Sequence, residues 1–403
     1  MRIINLQAFI LFDNIRQDEL IQRGVNSFRG LEEGKEPTAL AEDYFFVQRG
    51  LLANLDEQDM QGTYWQSYLC KRIVESENKF SLMAELGQKK ENLQKMACRE
   101  LFLLKRLFAL DWQKMSAYMN DGGTCLANMS EENFGKRKAL GALLSTANSE
   151  EENKASAMAL YEYYLGNGCG IFEKYEAFAW EDRLVGIGHY EDVTFEKLVG
   201  YEMQKKQLIE NTKFLLQGSK ANNVLLYGDR GTGKSSSVKA LLNMFKHEKL
   251  KMVSINKNHI KYIDKIMEEI EGRGCKFIVF VDDLTFEEDD VEYKYFKSAI
   301  EGGIEGISGN TLIYVTSNRR NIIRETWKER SDQLGDIHQG DGIQERMSLS
   351  ERFGLALTFS SPGRLEYLEI VKELARQEDL QIEPDLLEAE ALKWEVRHNG
   401  RSG

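Results

Sequence analysis

The chain has 403 residues, more than one ordinary domain core accommodates, so its length predicts two or three domains. With 42% hydrophobic and 29% charged residues it has the composition of a soluble globular protein, and its formal net charge of −12 disfavours general attraction to nucleic acid or acidic lipid. No apolar run approaches the ~20 residues of a membrane-crossing helix, and the first residues lack the pattern of a secretory leader. We therefore expect a cytoplasmic protein without membrane insertion.

Residues 1–190 are predicted to form a mainly α-helical N-terminal domain. Apolar residues recur there at three- or four-residue steps, most clearly at Leu101, Leu104, Phe108 and Trp112. That spacing places the apolar side chains on one helix face and buries it. The region shows no catalytic constellation, and its histidine does not occur at metal-ligand spacing.

Residues 191–363 alternate short apolar runs with helical patterns, which is typical of an α/β domain built around a parallel sheet. Continuous apolar runs suit strands that are covered on both faces. We predict a five-stranded parallel sheet with flanking helices. The five runs are NVLLYG at 223–228, KMVSI at 251–255, KFIVFVDD at 276–283, TLIYVTSN at 311–318 and LALTF at 355–359. Residues 364–403 return to a helical pattern and are predicted to form a small C-terminal domain.

A glycine-rich loop follows the first predicted strand and precedes a predicted helix. Gly228, Gly233, Lys234 and Ser235 fit the pattern GxxxxGK[ST] in the structural context that this pattern requires. Successive backbone N–H groups of such a loop, together with the helix N-terminus, cradle phosphate oxygens. We expect Lys234 to neutralise the β- and γ-phosphates and Ser235 to bind Mg²⁺. The predicted nucleotide-binding loop comprises Gly228, Asp229, Arg230, Gly231, Thr232, Gly233, Lys234, Ser235 and Ser236.

Two further polar groups are predicted at the carboxyl edge of the same sheet. Asp282 ends the apolar run FIVFV, where it can hold the water shell of Mg²⁺, and Asp283 follows as the group that orients the attacking water. Asp283 is one methylene shorter than glutamate, so either the water sits closer or another acid, such as Glu287, assists. Asn318 ends the run YVTSN and is expected to contact the water or the γ-phosphate.

These three motifs resemble the Walker A, Walker B and sensor 1 motifs of the AAA+ ATPases. The phrases "NNVLLYGDRGTGKSSSVKALLN", "FVDDLTFEEDDVEYKYFKSAIEGG", "YVTSNRRNII" and "SLSERFGL" closely resemble the bacterial family of predicted ATPases known as domain of unknown function 815. The resemblance covers about Ala177 to the C-terminus. It implies an ATP-binding core at 191–363 with ATP and Mg²⁺ as ligands, followed by a helical lid at 364–403.

The same resemblance implies roles for residues outside the three motifs. Val199, Gly200 and Tyr201 would lie against the adenine. Arg352, in "SERFG", resembles the arginine finger that one subunit inserts into its neighbour's site, and Arg319 and Arg320 are rival candidates. The lid arginine called sensor 2 is not identified. The family's "RSG" continues with another arginine, whereas this chain stops at Gly403, which suggests either truncation or loss of the last lid element and leaves Arg401 as a weak candidate.

The sequence therefore predicts an ATPase of the AAA+ type that couples Mg-ATP hydrolysis to remodelling of an unidentified protein or nucleic-acid partner. A homo-oligomer is expected, because a finger acts on a neighbour only when a neighbour is present. The alternative is an ATP-dependent switch or scaffold that hydrolyses slowly or not at all, which the aspartate at position 283 and the short lid favour. A small-molecule kinase is disfavoured because no arginine-rich acceptor lid is visible.

Overall fold

The structure is a computed structural model that describes residues 4–54, 62–122, 125–128, 138–286, 290–301, 309–319 and 352–398. The chain divides into two compact units, Met1–Lys174 and Tyr175–Gly403. Within the described ranges, no helix combines the length and the apolar character needed to cross a membrane.

The first unit is helical throughout its described part. The face predicted to be buried is confirmed, since Leu101, Leu104, Phe108 and Trp112 are all at most 4% exposed. The rings of Trp65 and Trp112 lie 5.0 Å apart at the centre of this core. Its α-helices are α1 (Asp13–Gln17), α2 (Glu19–Glu32), α3 (Pro37–Ala53), α4 (Tyr64–Val74), α5 (Lys79–Glu85), α6 (Glu91–Phe108), α7 (Trp112–Met119), α8 (Lys138–Leu144), α9 (Glu150–Asn167) and α10 (Ile171–Lys174), with 3-10 turns at Leu6–Ala8 and Leu126–Asn128.

The second unit is built around one mostly parallel sheet, which confirms the α/β class. Its strands are β1 (Ala177–Trp180), β2 (Leu184–Ile187), β3 (Val224–Gly228), β4 (Leu250–Ile255), β5 (Lys276–Val281), β6 (Thr311–Ser317) and β7 (Leu355–Phe359). They lie in the order β2-β1-β4-β5-β6-β3-β7. The five predicted strands are present and pair in parallel with one another.

The predicted number of five strands is wrong, because the described residues already form a sheet of seven. Strand β1 adds to the edge in parallel with β4, and β2 pairs with β1 in antiparallel orientation. Both strands lie in a stretch that the sequence pattern assigned to the helical half. They are only four residues long, and the run Ala-Phe-Ala-Trp shows neither the alternation nor the β-branched residues typical of a strand.

Helices cover the sheet, so that strand residues of both parities are buried. On one face, α11 (Glu202–Leu216) and α12 (Lys234–Met244) pack their apolar side chains against alternate residues of β3, β4, β5, β6 and β7. In its described part the second unit also contains α13 (Ile263–Ile270), preceded by a 3-10 turn at Lys257–Tyr262, α14 (Glu292–Glu301), α15 (Arg364–Gln377) and α16 (Pro384–His398). Helices α15 and α16 occupy the region predicted as a lid, and that role stays a prediction.

Strand β3 lies inside the sheet with β6 on one side and β7 on the other. Because the three strands run in parallel, their carboxyl ends meet at one edge. From β3 the chain crosses to β4, three places away in the sheet, and then returns through β5 and β6 to β7 on the other side of β3. The direction in which strands are added therefore reverses next to β3. In open α/β sheets such a switch point is where ligands bind, outside the carboxyl ends of the strands.

Candidate functional site

The loop after β3 has the backbone geometry that its glycines allow. Gly228, Gly231 and Gly233 have φ values of 140°, 72° and 81°, which residues with a side chain rarely adopt. Gly233 is the N-cap of α12, so the first N–H groups of that helix, beginning at Lys234, have no partner within the helix. Backbone N–H groups that line such a turn form a concavity that binds phosphate, and the positive end of the helix dipole favours the negative charge of that ligand.

Lys234 lies at the mouth of this loop and is 7% exposed. Its ammonium donates to the carbonyl oxygens of Gly228 at 3.0 Å and Asp229 at 2.5 Å. Burial lowers the pKa of Lys234, whereas the carboxylates of Asp229, Asp283 and Asp282 oppose that shift. A phosphate ligand would add negative charge beside a partly desolvated ammonium and so stabilise its charged form.

Asp282 connects the loop to the end of β5. Its Oδ1 accepts a hydrogen bond from Ser235 Oγ at 2.5 Å, although the two residues are 47 positions apart in the chain. The parallel register of β3, β6 and β5 produces this proximity, since the three strands end at the same edge. The structure thus brings together the two residues predicted to bind the metal.

These two residues also fit Mg²⁺ in their chemistry. In nucleotide sites Mg²⁺ is held by one or two protein oxygens, and water and phosphate oxygens complete its octahedral shell. Within the described ranges, no group of three or more His, Cys, Asp or Glu side chains is placed to hold a metal by itself. The hydroxyl of Ser235 and the carboxylate of Asp282 therefore suit an ion that is shared with a phosphate ligand.

Asp283 and Asn318 also meet at this edge. Asn318 Nδ2 donates to Asp283 Oδ1 at 2.6 Å, which joins the residue after Asp282 to the residue after β6. Asp283 has a φ of 49°, a left-handed conformation that is uncommon for a residue other than glycine. The predicted water-orienting acid and the predicted sensor are therefore in direct contact.

Two groups at this edge were not predicted from the sequence. The hydroxyl of Thr316 donates to Asp282 Oδ1 at 2.5 Å and accepts the backbone N–H of Asp283 at 2.8 Å. The backbone N–H of Ser361, just after β7, donates to Asp229 Oδ2 at 2.6 Å, and this bond is the largest cause of the lowered pKa of Asp229. The polar run at the end of β6 was the one sequence signal for Thr316, and we found none for Ser361.

The remaining loop residues lie between these contacts. Thr232 is buried, and its hydroxyl donates to Asp229 O at 2.8 Å, which closes the turn. Arg230 is exposed at the tip of the loop, and Ser236 is partly exposed in the first turn of α12.

The segment before α11 forms two kinds of contact. Tyr201 stacks on Phe359, with ring centroids 4.9 Å apart, and its hydroxyl donates to Ser360 O at 2.6 Å. Val199 and Gly200 instead line a cavity of about 680 Å³. Its other walls come from the segment 195–198, from α11, from Met244 and from two residues of α15. Among the described residues that line this cavity, none belongs to the loop at 228–233. Contact of 199–201 with adenine stays a prediction.

The finger candidates lie at opposite edges of the sheet. Arg352 precedes β7 by three residues, and the start of β7 lies beside Val224 at the amino edge, away from the loop. Its guanidinium pairs with Glu301 at 2.8 Å, and both side chains are more than a third exposed. Arg319 follows β6 at the carboxyl edge and is exposed. Arg320, Arg401 and Glu287 lie outside the described residues.

Comparisons with known proteins identify the family. Solved structures similar to this chain include Thermotoga maritima RuvB, described as a Holliday junction branch migration motor, at 20% identity and a TM-score of 0.33, and a mutant of the same protein at 19% identity and 0.35. The alignments cover 49% and 50% of this chain and only 58% and 60% of the RuvB chains. No curated protein matches the chain. The model of the family described as "Protein of unknown function (DUF815)" matches residues 173–403, more than half of the chain. This match confirms the family that the motifs resemble: the chain belongs to DUF815.

Proposed function

We propose that this protein binds Mg-ATP at the loop after β3 and hydrolyses it, as an ATPase of the AAA+ type that its motifs resemble. The observation that carries the proposal is the meeting of Ser235 with Asp282 and of Asn318 with Asp283 at one edge of the sheet. The ends of the parallel strands β5 and β6 and the N-terminus of α12 contribute these groups. A structural turn has no need of a buried lysine, two carboxylates and a carboxamide at one glycine-rich loop.

Each group then has a defined task. The loop amides and Lys234 bind the β- and γ-phosphates, for which the ammonium exchanges its two carbonyl partners for phosphate oxygens. Ser235 and Asp282 hold Mg²⁺, which neutralises charge on the phosphate oxygens when it is bound. Asp283 orients the attacking water, and Asn318 fixes the direction of that carboxylate from the neighbouring strand.

The direct test is steady-state phosphate release under saturating Mg-ATP. Turnover is expected in the unaltered protein and should be lost in Lys234→Ala, because the variant cannot neutralise the transferred phosphoryl group. Asp283→Asn should retain nucleotide binding and lose turnover, since only the water-orienting carboxylate is changed. Turnover that is equal in the unaltered protein and in Lys234→Ala, at several protein concentrations, would overturn the proposal.

A slow switch or scaffold is the second candidate. The carboxylate of Asp283 is one methylene shorter than that of glutamate, and its Oδ1 accepts from Asn318 at 2.6 Å, so Oδ2 and the remaining lone pair of Oδ1 are left to orient water. Binding of Mg-ATP with phosphate release no faster than in Asp283→Asn would favour the switch over the motor.

We further propose that hydrolysis drives remodelling of a macromolecular partner and that the protein acts as a cytoplasmic homo-oligomer. Arg352 lies at the edge of the sheet away from the loop of its own chain, so an action of this arginine on phosphate requires the site of a second copy. Light scattering with and without a slowly hydrolysed ATP analogue, repeated on Arg352→Ala, tests this point. A monomer under all these conditions would contradict it.

A further inference from the structure

The hydroxyl of Thr316 connects the two acidic residues of the site. Thr316 is 1% exposed and lies in β6, directly beyond the pairing of Val281 with Val315. Its Oγ1 donates to Asp282 Oδ1 and accepts from Asp283 N, at 2.5 Å and 2.8 Å. A hydroxyl has one donor and two acceptor positions, so it satisfies both bonds at once.

The first bond fixes the carboxylate of Asp282. Oδ1 of this residue accepts from Thr316 Oγ1, from Ser235 Oγ and from the backbone N–H of Asp283. Among the described residues, all hydrogen-bond partners of this carboxylate act on Oδ1. The other oxygen, Oδ2, is therefore held in a defined direction, and no donor from the described residues occupies it.

The second bond supports the unusual backbone of Asp283. A left-handed conformation at a residue with a side chain persists only where its surroundings impose it. Thr316 supplies partners on both sides of Asp283: its hydroxyl accepts from Asp283 N, and its carbonyl accepts from Leu284 N at 2.8 Å. The resulting conformation directs the carboxylate of Asp283 to Asn318.

We propose that Thr316 is a positioning residue of the Mg-ATP site, where its hydroxyl holds Asp282 for the metal ion and Asp283 for the attacking water. This inference rests on the proposed function. A positioning role differs from a purely structural role of this buried threonine. If the role were only structural, removal of the hydroxyl would change the stability of the protein without changing its response to Mg²⁺.

The test compares two substitutions at Thr316 with a matched control. Thr316→Val keeps the shape of the side chain and removes the hydroxyl, whereas Thr316→Ser keeps the hydroxyl. Thr311→Val is the control, because Thr311 is also buried in β6 and its hydroxyl also donates to a neighbouring side chain, that of Asn310, at the opposite end of the strand. The measurement is the binding of a fluorescent ATP analogue as a function of Mg²⁺ concentration, with Lys234→Ala as reference.

Loss of an outer-shell partner typically costs about 10–100-fold in metal affinity. Thr316→Val should therefore raise the Mg²⁺ concentration for half-maximal binding by about tenfold or more, while Thr316→Ser and Thr311→Val should stay within about twofold of the unaltered protein. If Thr316→Val does not fold, Thr316→Cys is measured against the same criteria, because it keeps a small side chain with a weak donor.

Two results would overturn the positioning role: an unchanged Mg²⁺ response in Thr316→Val, or an equal loss in Thr316→Val and Thr316→Ser. Failure of the proposed function has a different signature. In that case the unaltered protein itself shows no Mg²⁺-dependent binding and does not differ from Lys234→Ala.

Discussion

Replacement of Gly228 by alanine tests the close approach of β3 to β7, on which the shape of the phosphate loop depends. A Cβ atom at this position would lie 2.0 Å from the carbonyl oxygen of Phe359 and 2.6 Å from its carbonyl carbon. These are backbone atoms, so no side-chain rotation relieves the clash. The same carbonyl accepts the N–H of Asp229 at 2.9 Å, which ties the start of the loop to the end of β7.

Two terms determine the expected loss of stability. The φ of 140° at Gly228 is a conformation that costs a residue with a side chain about 1–3 kcal/mol. Overpacking against a fixed neighbour adds about 1–3 kcal/mol. The free energy of unfolding should therefore fall by about 2–6 kcal/mol, and at about 2–4 °C per kcal/mol for a unit of this size the melting temperature should fall by about 4–24 °C.

Thermal unfolding followed by calorimetry measures this loss, and Gly272→Ala is the matched control. Gly272 also has a positive φ, 68°, but no atom lies within 4 Å of the position of its Cβ. Only the left-handed backbone is then penalised, by about 1–2 kcal/mol. If Gly228→Ala melts no lower than Gly272→Ala, the contact between the ends of β3 and β7 is refuted.

Three further predictions concern Asp229 of the loop, Tyr201 and the finger candidate Arg352. Asp229→Ala should lower the free energy of unfolding at neutral pH. The pKa of Asp229 is lowered in the folded chain, so the difference in unfolding free energy between the two proteins should shrink as the pH falls below 3.8, the ordinary pKa of an aspartate. Urea unfolding at several pH values measures this difference, and a difference that stays constant below pH 3.8 would contradict the prediction. Tyr201→Phe keeps the ring on Phe359 and removes the hydrogen bond to Ser360 O, so the free energy of unfolding, measured with urea, should fall by about 0.5–1.5 kcal/mol. A fall as large as that caused by Tyr201→Ala would refute this prediction. Arg352→Ala should abolish phosphate release while nucleotide binding is retained, whereas Glu301→Gln, which removes only the partner of the same arginine, should keep turnover. Equal losses in the two variants would assign the arginine a structural role.

The five strands that the sequence predicted are long apolar runs with clear ends. Strand β7 has the predicted limits. Strands β3 and β4 differ by one residue at their starts, and β5 and β6 end one or two residues earlier than predicted, because the polar residues Asp282, Asp283 and Asn318 follow the last ladder bond. Burial on both faces makes such runs visible without any alternation. The four-residue strands β1 and β2 have no such pattern, because β1 becomes a strand by pairing with β4, about 75 residues later in the chain, and β2 becomes one by pairing with β1.

Site residues that belong to a known pattern could be predicted from the sequence. Residues that reach the site only through the register of paired strands could not. Lys234, Ser235 and Asp282 follow from the loop pattern and from the rule that parallel strands end together. A threonine near the end of β6 is an ordinary strand residue, and only the pairing of Val281 with Val315 brings its hydroxyl to Asp282. The hydrogen bond from Ser361 to Asp229 joins residues 132 positions apart, and the sequence around either residue does not predict it.

Titration calorimetry of Mg-ATP into the folded protein tests the central claim most directly, with Lys246→Ala as a matched control for Lys234→Ala. Lys246 is an exposed lysine just beyond the end of α12, about 12 positions from Lys234 in the same segment. We expect saturable heat of binding in the unaltered protein and in Lys246→Ala, and a loss of that heat in Lys234→Ala. Absence of binding in the folded, unaltered protein, or equal binding in Lys234→Ala, would contradict the account.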